Sequence, residues 1–213
     1  MDNNRIDELL QHLQATQQEL ADEMDRLLEE KRRQFHYSVQ QGRVRFEQGM
    51  RELQRRYRQG VLRYVLTAPP RHLITAPVIY LMFAPILLLD IGVTLYQQIC
   101  FRAYRIPRVR RGDYLVIDRH QLPYLNAIEK LNCVYCGYSS GVVAYTHEIV
   151  ARTEQYWCPI KHARRASGAH MRAEGFFEFG DAEAYRQGLL RIRQQWDSGT
   201  TASVTSERGS SSD

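Results

Sequence analysis

Cys133-Val-Tyr-Cys136 and, twenty-one residues further on, Cys158-Pro-Ile-Lys-His162 form the pattern C-x2-C-x21-C-x3-H. Two donor pairs on short segments can close a tetrahedron of sulfur and nitrogen, the geometry that Zn²⁺ accepts. The expected metal ligands are therefore Cys133, Cys136, Cys158 and His162, with zinc in a structural role. A closed four-ligand site leaves no coordination position for a substrate, which argues against hydrolysis. If only the three cysteines bind, an open position or an iron–sulfur cluster becomes available. Without a metal, the thiols are buried groups or a redox couple.

The other histidines carry less. His147-Glu148 lacks the second histidine of H-E-x-x-H, so metalloprotease chemistry is not indicated. Asp118-Arg119-His120 reads as the end of a strand, and His170 is an alternative fourth ligand in a glycine-containing stretch. The aromatic set Tyr124, Tyr135, Tyr138, Tyr145, Tyr156 and Trp157 reads as core around the cluster. No phosphate-binding loop, nucleophile elbow or dinucleotide fingerprint is present.

These ligands need elements to position them. The expected class is mainly α: an N-terminal coiled-coil helix over 1–68, a membrane segment over 69–101 as an intramembrane helix or hairpin, a small α+β metal-stapled domain over 102–196, and a disordered tail over 197–213. The periodicity predicts helix from about residue 4 to 65. Ile6, Leu10, Leu13, Gln17, Leu20, Met24 and Leu27 recur with alternating steps of four and three, a coiled-coil seam. The phase breaks over 28–35, and a second seam runs Val39, Phe46, Met50, Leu53, Tyr57 and Tyr64, weakened by Gly42, Gly49 and Gly60. A charged amphipathic helix cannot bury its stripe alone, so self-association is expected.

Further along, Asp113–Asp118 is β-rich and predicts a strand, paired with Phe176–Phe179. Helix is predicted over 122–131, then a turn at Gly137 carrying the first cysteine pair, then helix again over 141–157, stopped by Pro159. Asp181 is expected to cap a last helix running to Trp196, with Tyr185, Leu189, Leu190 and Ile192 on its apolar side.

After Pro69-Pro70, residues 73–89 carry no charge until Asp90, and Ile91–Tyr96 extends the run. About 20 apolar residues cross the hydrocarbon of a bilayer, and this stretch reaches that length only by including Asp90. Arginines flank it on both sides, and by the positive-inside tendency both flanks favour the cytoplasm. A hairpin bent near Pro85 satisfies that, a single span does not, and a buried soluble helix pair is the third arrangement. Arg102, Arg105, Arg108, Arg110 and Arg111 are expected on anionic lipid; nothing accompanies them that would read nucleic acid. The net charge of +5 is mild, and of the 29 basic residues only Lys31, Lys130 and Lys161 are lysine. The start, Met1-Asp2-Asn3-Asn4, lacks the apolar core of a secretory leader. Free thiols fit a reducing compartment, so the metal-binding domain is expected to face the cytoplasm.

The run from Tyr114-Leu-Val-Ile-Asp-Arg-His120 through Cys133-Val-Tyr-Cys136-Gly-Tyr138 to Tyr156-Trp-Cys158-Pro-Ile-Lys-His162 resembles a group of bacterial membrane-associated proteins of no established activity, over about residues 70–165. The resemblance implies a bacterial membrane setting and no mechanism; with the thiols read as reduced, the expected location is the bacterial cytoplasmic (inner) membrane. The expected function is thus a non-enzymatic membrane scaffold or adaptor that presents a zinc-stapled domain to a protein partner. The alternative is a membrane redox protein whose cysteines form an iron–sulfur or thiol centre.

Overall fold

The first seam does become a helix. In the computed structural model, which describes residues 2–40, 43–164 and 166–194, α1 runs Asp2–Gln34. Lys31, Arg32 and Arg33 occupy its last turn, where cations complement the carbonyl end of the helix dipole. His36 then takes the left-handed conformation, φ 50°, and turns the chain into a hairpin. This corrects the expectation of helix up to residue 65. β1 (Tyr37–Gln40) pairs antiparallel with β2 (Arg43–Phe46) in the register Tyr37↔Phe46 and Val39↔Val44. Tyr37, Val39, Val44 and Phe46 share one face, a period of two that only a strand satisfies, and the rings of Tyr37 and Phe46 lie 5.6 Å apart. Two short helices follow, α2 (Gln48–Arg55) and α3 (Val61–Thr67).

The chain divides into two compact units, Met1–Ala68 with Asp118–Val134, and Pro69–Ile117 with Tyr135–Asp213. In the first unit, the Val44 N–H donates to Gln121 Oε1 at 2.8 Å, fastening a 3-10 turn, Arg119–Gln121, to the hairpin. The same unit holds the start of the longest later helix, α6 (Ala127–Trp157). Buried Asn126 caps it: Asn126 Oδ1 accepts from the N–H groups of Ile128 and Glu129, and Glu129 Oε2 accepts from the Asn126 N–H at 2.8 Å. This reciprocal box satisfies donors that the helix cannot satisfy itself.

In the second unit the apolar run is helical. α4 (Pro70–Leu81) starts on a proline, favoured at the first helical position because its missing N–H would be unpaired there. Met82 keeps helical angles and leads into α5 (Phe83–Tyr96), so the chain does not reverse near Pro85. Five residues in a wider π-turn, Gln97–Phe101, complete a 32-residue helical stretch, Pro70–Phe101. At 1.5 Å per residue this is about 48 Å, longer than the roughly 30 Å of bilayer hydrocarbon. It is the one helix among the described residues long and apolar enough to cross a membrane.

The stretch ends in a tight reversal. Arg105 adopts φ 57°, and the Ile106 N–H donates to the Phe101 carbonyl at 2.9 Å. This is a Schellman closure, with Phe101 and Ile106 making its usual apolar contact. Phe101, Ile106, Val109, Tyr145 and Ile149 form the core of this unit, with Val93, Tyr96, Tyr114, Leu115 and Tyr156 packed against them.

Several local expectations are corrected. Residues 113–118 form no paired strand; Phe177 instead makes an isolated parallel bridge with Ile160. The turn expected at Gly137 is the interior of α6, with Gly137 and Gly141 buried. Gly141 is there for close approach: a Cβ would stand 2.9 Å from the Tyr114 carbonyl and 3.0 Å from Leu115 Cα. The last helix, α7 (Ala182–Gln194), begins as expected, with the Ala184 N–H donating to Asp181 Oδ1 at 2.9 Å. Ile192 is buried, but Leu190 points outward. Trp196 and the tail from 197 lie outside the described residues.

Candidate functional site

The four expected metal ligands do not meet. Cys133 and Cys136 lie on α6, half-buried and exposed. Cys158 is exposed at the far end of the same helix, its N–H still donating to the Glu154 carbonyl at 2.8 Å. Twenty-two helical rises separate Cys136 from Cys158, about 33 Å. His162 is exposed beyond Pro159. Among the described residues no group of three or more His, Cys, Asp or Glu is placed to hold a metal ion. A four-ligand site within one chain would require α6 to break between its cysteines. His170, the alternative ligand, instead pairs its Nε2 with Glu154 Oε2 at 2.9 Å, and its buried Nδ1 has no hydrogen-bond partner among the described residues.

The chemistry that is built lies along the apolar helix. Asp90, only 7% exposed, is held by a bidentate ion pair: Arg111 Nε donates to Oδ1 at 3.1 Å and Nη2 to Oδ2 at 2.7 Å. The Tyr138 hydroxyl donates to Oδ2 at 2.9 Å, and Thr94 Oγ1 lies 3.5 Å from Oδ1. An unpaired carboxylate in apolar surroundings is costly, and a planar guanidinium matches its two oxygens. Asp90 meets that condition within its own unit.

Two turns on, Gln97 is 3% exposed. Its side chain imitates a backbone neighbour: Oε1 accepts from the Val109 N–H at 3.0 Å and Nε2 donates to the Val109 carbonyl at 3.3 Å. Nε2 also donates to the Tyr145 hydroxyl. Asp90, Thr94 and Gln97 recur at steps of four and three, so they share one stripe of the helix. The Tyr96 and Thr153 hydroxyls, 3.1 Å apart, continue the link to α6. The stripe docks the helix onto the residues that follow it, and its hydrogen bonds are satisfied by Arg111, Val109, Tyr138 and Tyr145.

This changes the place of the arginines. Arg111, expected on lipid, is committed to Asp90. Arg108 donates to Gln98 Oε1 at 2.6 Å, and Arg110 sits 3.9 Å from Asp113. Arg102 and Arg105 are exposed.

A second polar cluster surrounds an open groove of about 630 Å³ lined by Tyr114, Ser139, Ser140, Val143, His147 and Glu148, among others. Glu148 accepts from Arg152 at 2.8 Å and Arg172 at 2.6 Å, and Arg152 also donates to the Pro107 carbonyl at 2.6 Å. Burial pushes the Glu148 carboxyl upward, but the hydrogen bonds from Arg172 and Arg152 outweigh it and hold the group below its ordinary value. Burial raises Tyr114, which keeps its phenol protonated. A carboxylate neutralised by two guanidinium groups is a poor general base, so Glu148 serves to tie the chain after the apolar helix to α6.

The sequence places Asp90 in the apolar run without showing its partner. Nothing local links positions 90 and 111; the signal available was only that a lone carboxylate in an apolar helix requires a cation. Comparison of the chain with protein-family models, curated proteins and solved structures finds no match.

Proposed function

We propose that this chain is a membrane-anchored scaffold that self-associates through α1 and presents the zinc-binding region of residues 102–196 to a protein partner. The observation that carries this reading is the exposure of the apolar helix: its most apolar window is only 6% buried. Leu73, Ile74, Val78, Leu81 and Leu88 all stand half or more exposed, a surface that water does not tolerate and lipid does. Arg102 and Arg105 at the end of the helix are free to reach anionic headgroups, a contribution of about 1 kcal/mol each.

On α1, Leu13, Leu20, Met24 and Leu27 keep the coiled-coil spacing and are exposed, which supports pairing with a second copy. Side chains of the earlier seam positions Ile6 and Leu10 lie outside the described residues. Four unpaired cysteines fit the reducing face of a bacterial inner membrane, with residues 102–196 toward the cytoplasm. Zinc enters this reading as an assembly feature: with α6 intact, joining Cys133 and Cys136 to Cys158 and His162 at one ion takes donors from two copies.

The test is fractionation. The protein should stay with membranes through high salt and alkaline carbonate and be released by detergent, and Leu81→Glu with Leu88→Glu should move it to the soluble fraction. Recovery of the unaltered chain in the carbonate wash would end the proposal.

A further inference from the structure

The segment 69–117 is an insertion between the two pieces of the first unit, Met1–Ala68 and Asp118–Val134. Those pieces share an interior. Val44, before the apolar helix, donates its N–H to Gln121, after it. A pocket of about 350 Å³ is walled by Phe35, Tyr37 and Phe46 from one side of the insertion and by Asp118, Leu122 and Tyr124 from the other. The chain thus enters and leaves the apolar segment from one folded unit, which sits on one side of any membrane.

Two ways of crossing conflict with this. A single span would place the two pieces of the unit on opposite sides. A span with a return would send residues 102–117 back through hydrocarbon. That segment is irregular apart from the end of the helix and a 3-10 turn, Arg111–Asp113, and it carries Arg102, Arg105, Arg108, Arg110 and Asp113. Lipid does not accept exposed backbone without internal hydrogen bonds, and each of those charges opposes burial. The chain instead reverses at Arg105 and runs back against the helix, with Val109 on Gln97 and Arg111 on Asp90. That backtracking segment covers the polar stripe and leaves the other faces apolar, with Leu88, Leu95 and Ile99 exposed.

From this geometry, and resting on the membrane anchoring proposed above, we infer that the helix Pro70–Phe101 lies within one leaflet with both ends on the same side, and does not pierce the bilayer. The partner of its apolar surface is the acyl region of a single leaflet, and the protein is monotopic.

The experiment uses the full chain with Cys100, Cys133, Cys136 and Cys158 replaced by serine and one reporter at a time: Ser38→Cys in β1, Ala103→Cys at the end of the helix, or Ala127→Cys at the start of α6, all exposed positions. Each is treated with a membrane-impermeant maleimide in sealed right-side-out and sealed inverted vesicles. All three reporters should label in the same orientation and lose labelling in the other. Ser38→Cys and Ala127→Cys labelling from opposite sides would overturn the inference by breaking the shared unit. Ala103→Cys alone on the far side would overturn it by showing a crossing with return. Trypsin on the unaltered chain in the same vesicles is the control for folding, and cleavage on both flanks of the helix from one side only is the supporting result. Carbonate release separates the two failures: protein that washes off ends the anchoring itself, whereas retained protein with split labelling ends only the monotopic arrangement.

Discussion

α1 and the helix Pro70–Phe101 are inversions of each other. α1 is charged around most of its circumference and leaves an apolar stripe open, with Leu20 at 64% exposure. The later helix is apolar around most of its circumference and closes a polar stripe, with Asp90 and Gln97 buried. The difference lies in who completes each helix. The polar stripe is completed inside one chain by Arg111, Tyr138 and Val109, because an unpaired carboxylate or amide cannot wait for a partner. An apolar stripe in water can wait, and in the function proposed above α1 waits for a second chain and the apolar faces of the other helix for lipid.

The comparison can be broken most sharply at the core of the second unit. Phe101→Ala should destabilise that unit by about 3–5 kcal/mol, read as a lowered midpoint in denaturant melts in detergent. Leu20→Ala in α1 should leave that midpoint in place. Equal effects would mean the two helices are buried alike.

Next in size is the ion pair. Arg111→Ala leaves the Asp90 carboxylate uncompensated and should cost about 3 kcal/mol, the lower end for buried pairs because Arg111 keeps 46% of its side chain in contact with solvent. Adding Asp90→Leu should restore part of that loss, and a double-mutant cycle checks the coupling. Independent effects would remove the clamp from the argument.

Gly141→Ala pushes a methyl into the Tyr114 carbonyl and should cost about 1–3 kcal/mol, whereas Gly49→Ala, with open space around it, should be neutral or mildly stabilising in the same melts.

A smaller effect is expected with acid. The Glu148 pKa is lowered in the folded state, so its contribution is complete above the unfolded value of about 4.3 and is lost as pH falls below that through the depressed folded value. Glu148→Gln should flatten this part of the pH–stability curve of the second unit; an unchanged curve would show that the two arginines do not hold the carboxylate. Smallest for folding and largest for assembly, Leu20→Asp with Leu27→Asp should reduce the oligomer seen by sedimentation and leave the melting of the second unit unchanged.

The helical class, the helix α1, the apolar stretch and the Asp181 cap were legible because each is a local pattern of spacing or capping. The hairpin was legible too: Tyr-Ser-Val-Gln and Arg-Val-Arg-Phe alternate about a glycine-containing pair, Gln41-Gly42, and the coiled-coil period hid it. So was the capping box, Asn126-x-x-Glu129. The turn expected at Gly137 shows the limit, because a glycine that permits a turn and one buried inside a helix are identical in sequence; at Gly141 the close approach of Tyr114 gives the packing reason. The Asp90–Arg111 pair, and the distance between the two cysteine segments, depend on how far α6 runs unbroken, which tertiary contacts decide.

The bond between Val44 and Gln121 joins groups 77 positions apart, and that separation is also an interval of time. Ribosomes add about 5–20 residues per second, so the hairpin waits on the order of 4–15 s before its partner is even synthesised. By then the whole apolar helix has been made. If the helix anchors in lipid as proposed, the order of synthesis favours anchoring first and completion of the N-terminal unit second, and a chain whose helix is late to reach lipid would hold an unfinished hairpin and an exposed apolar segment at once.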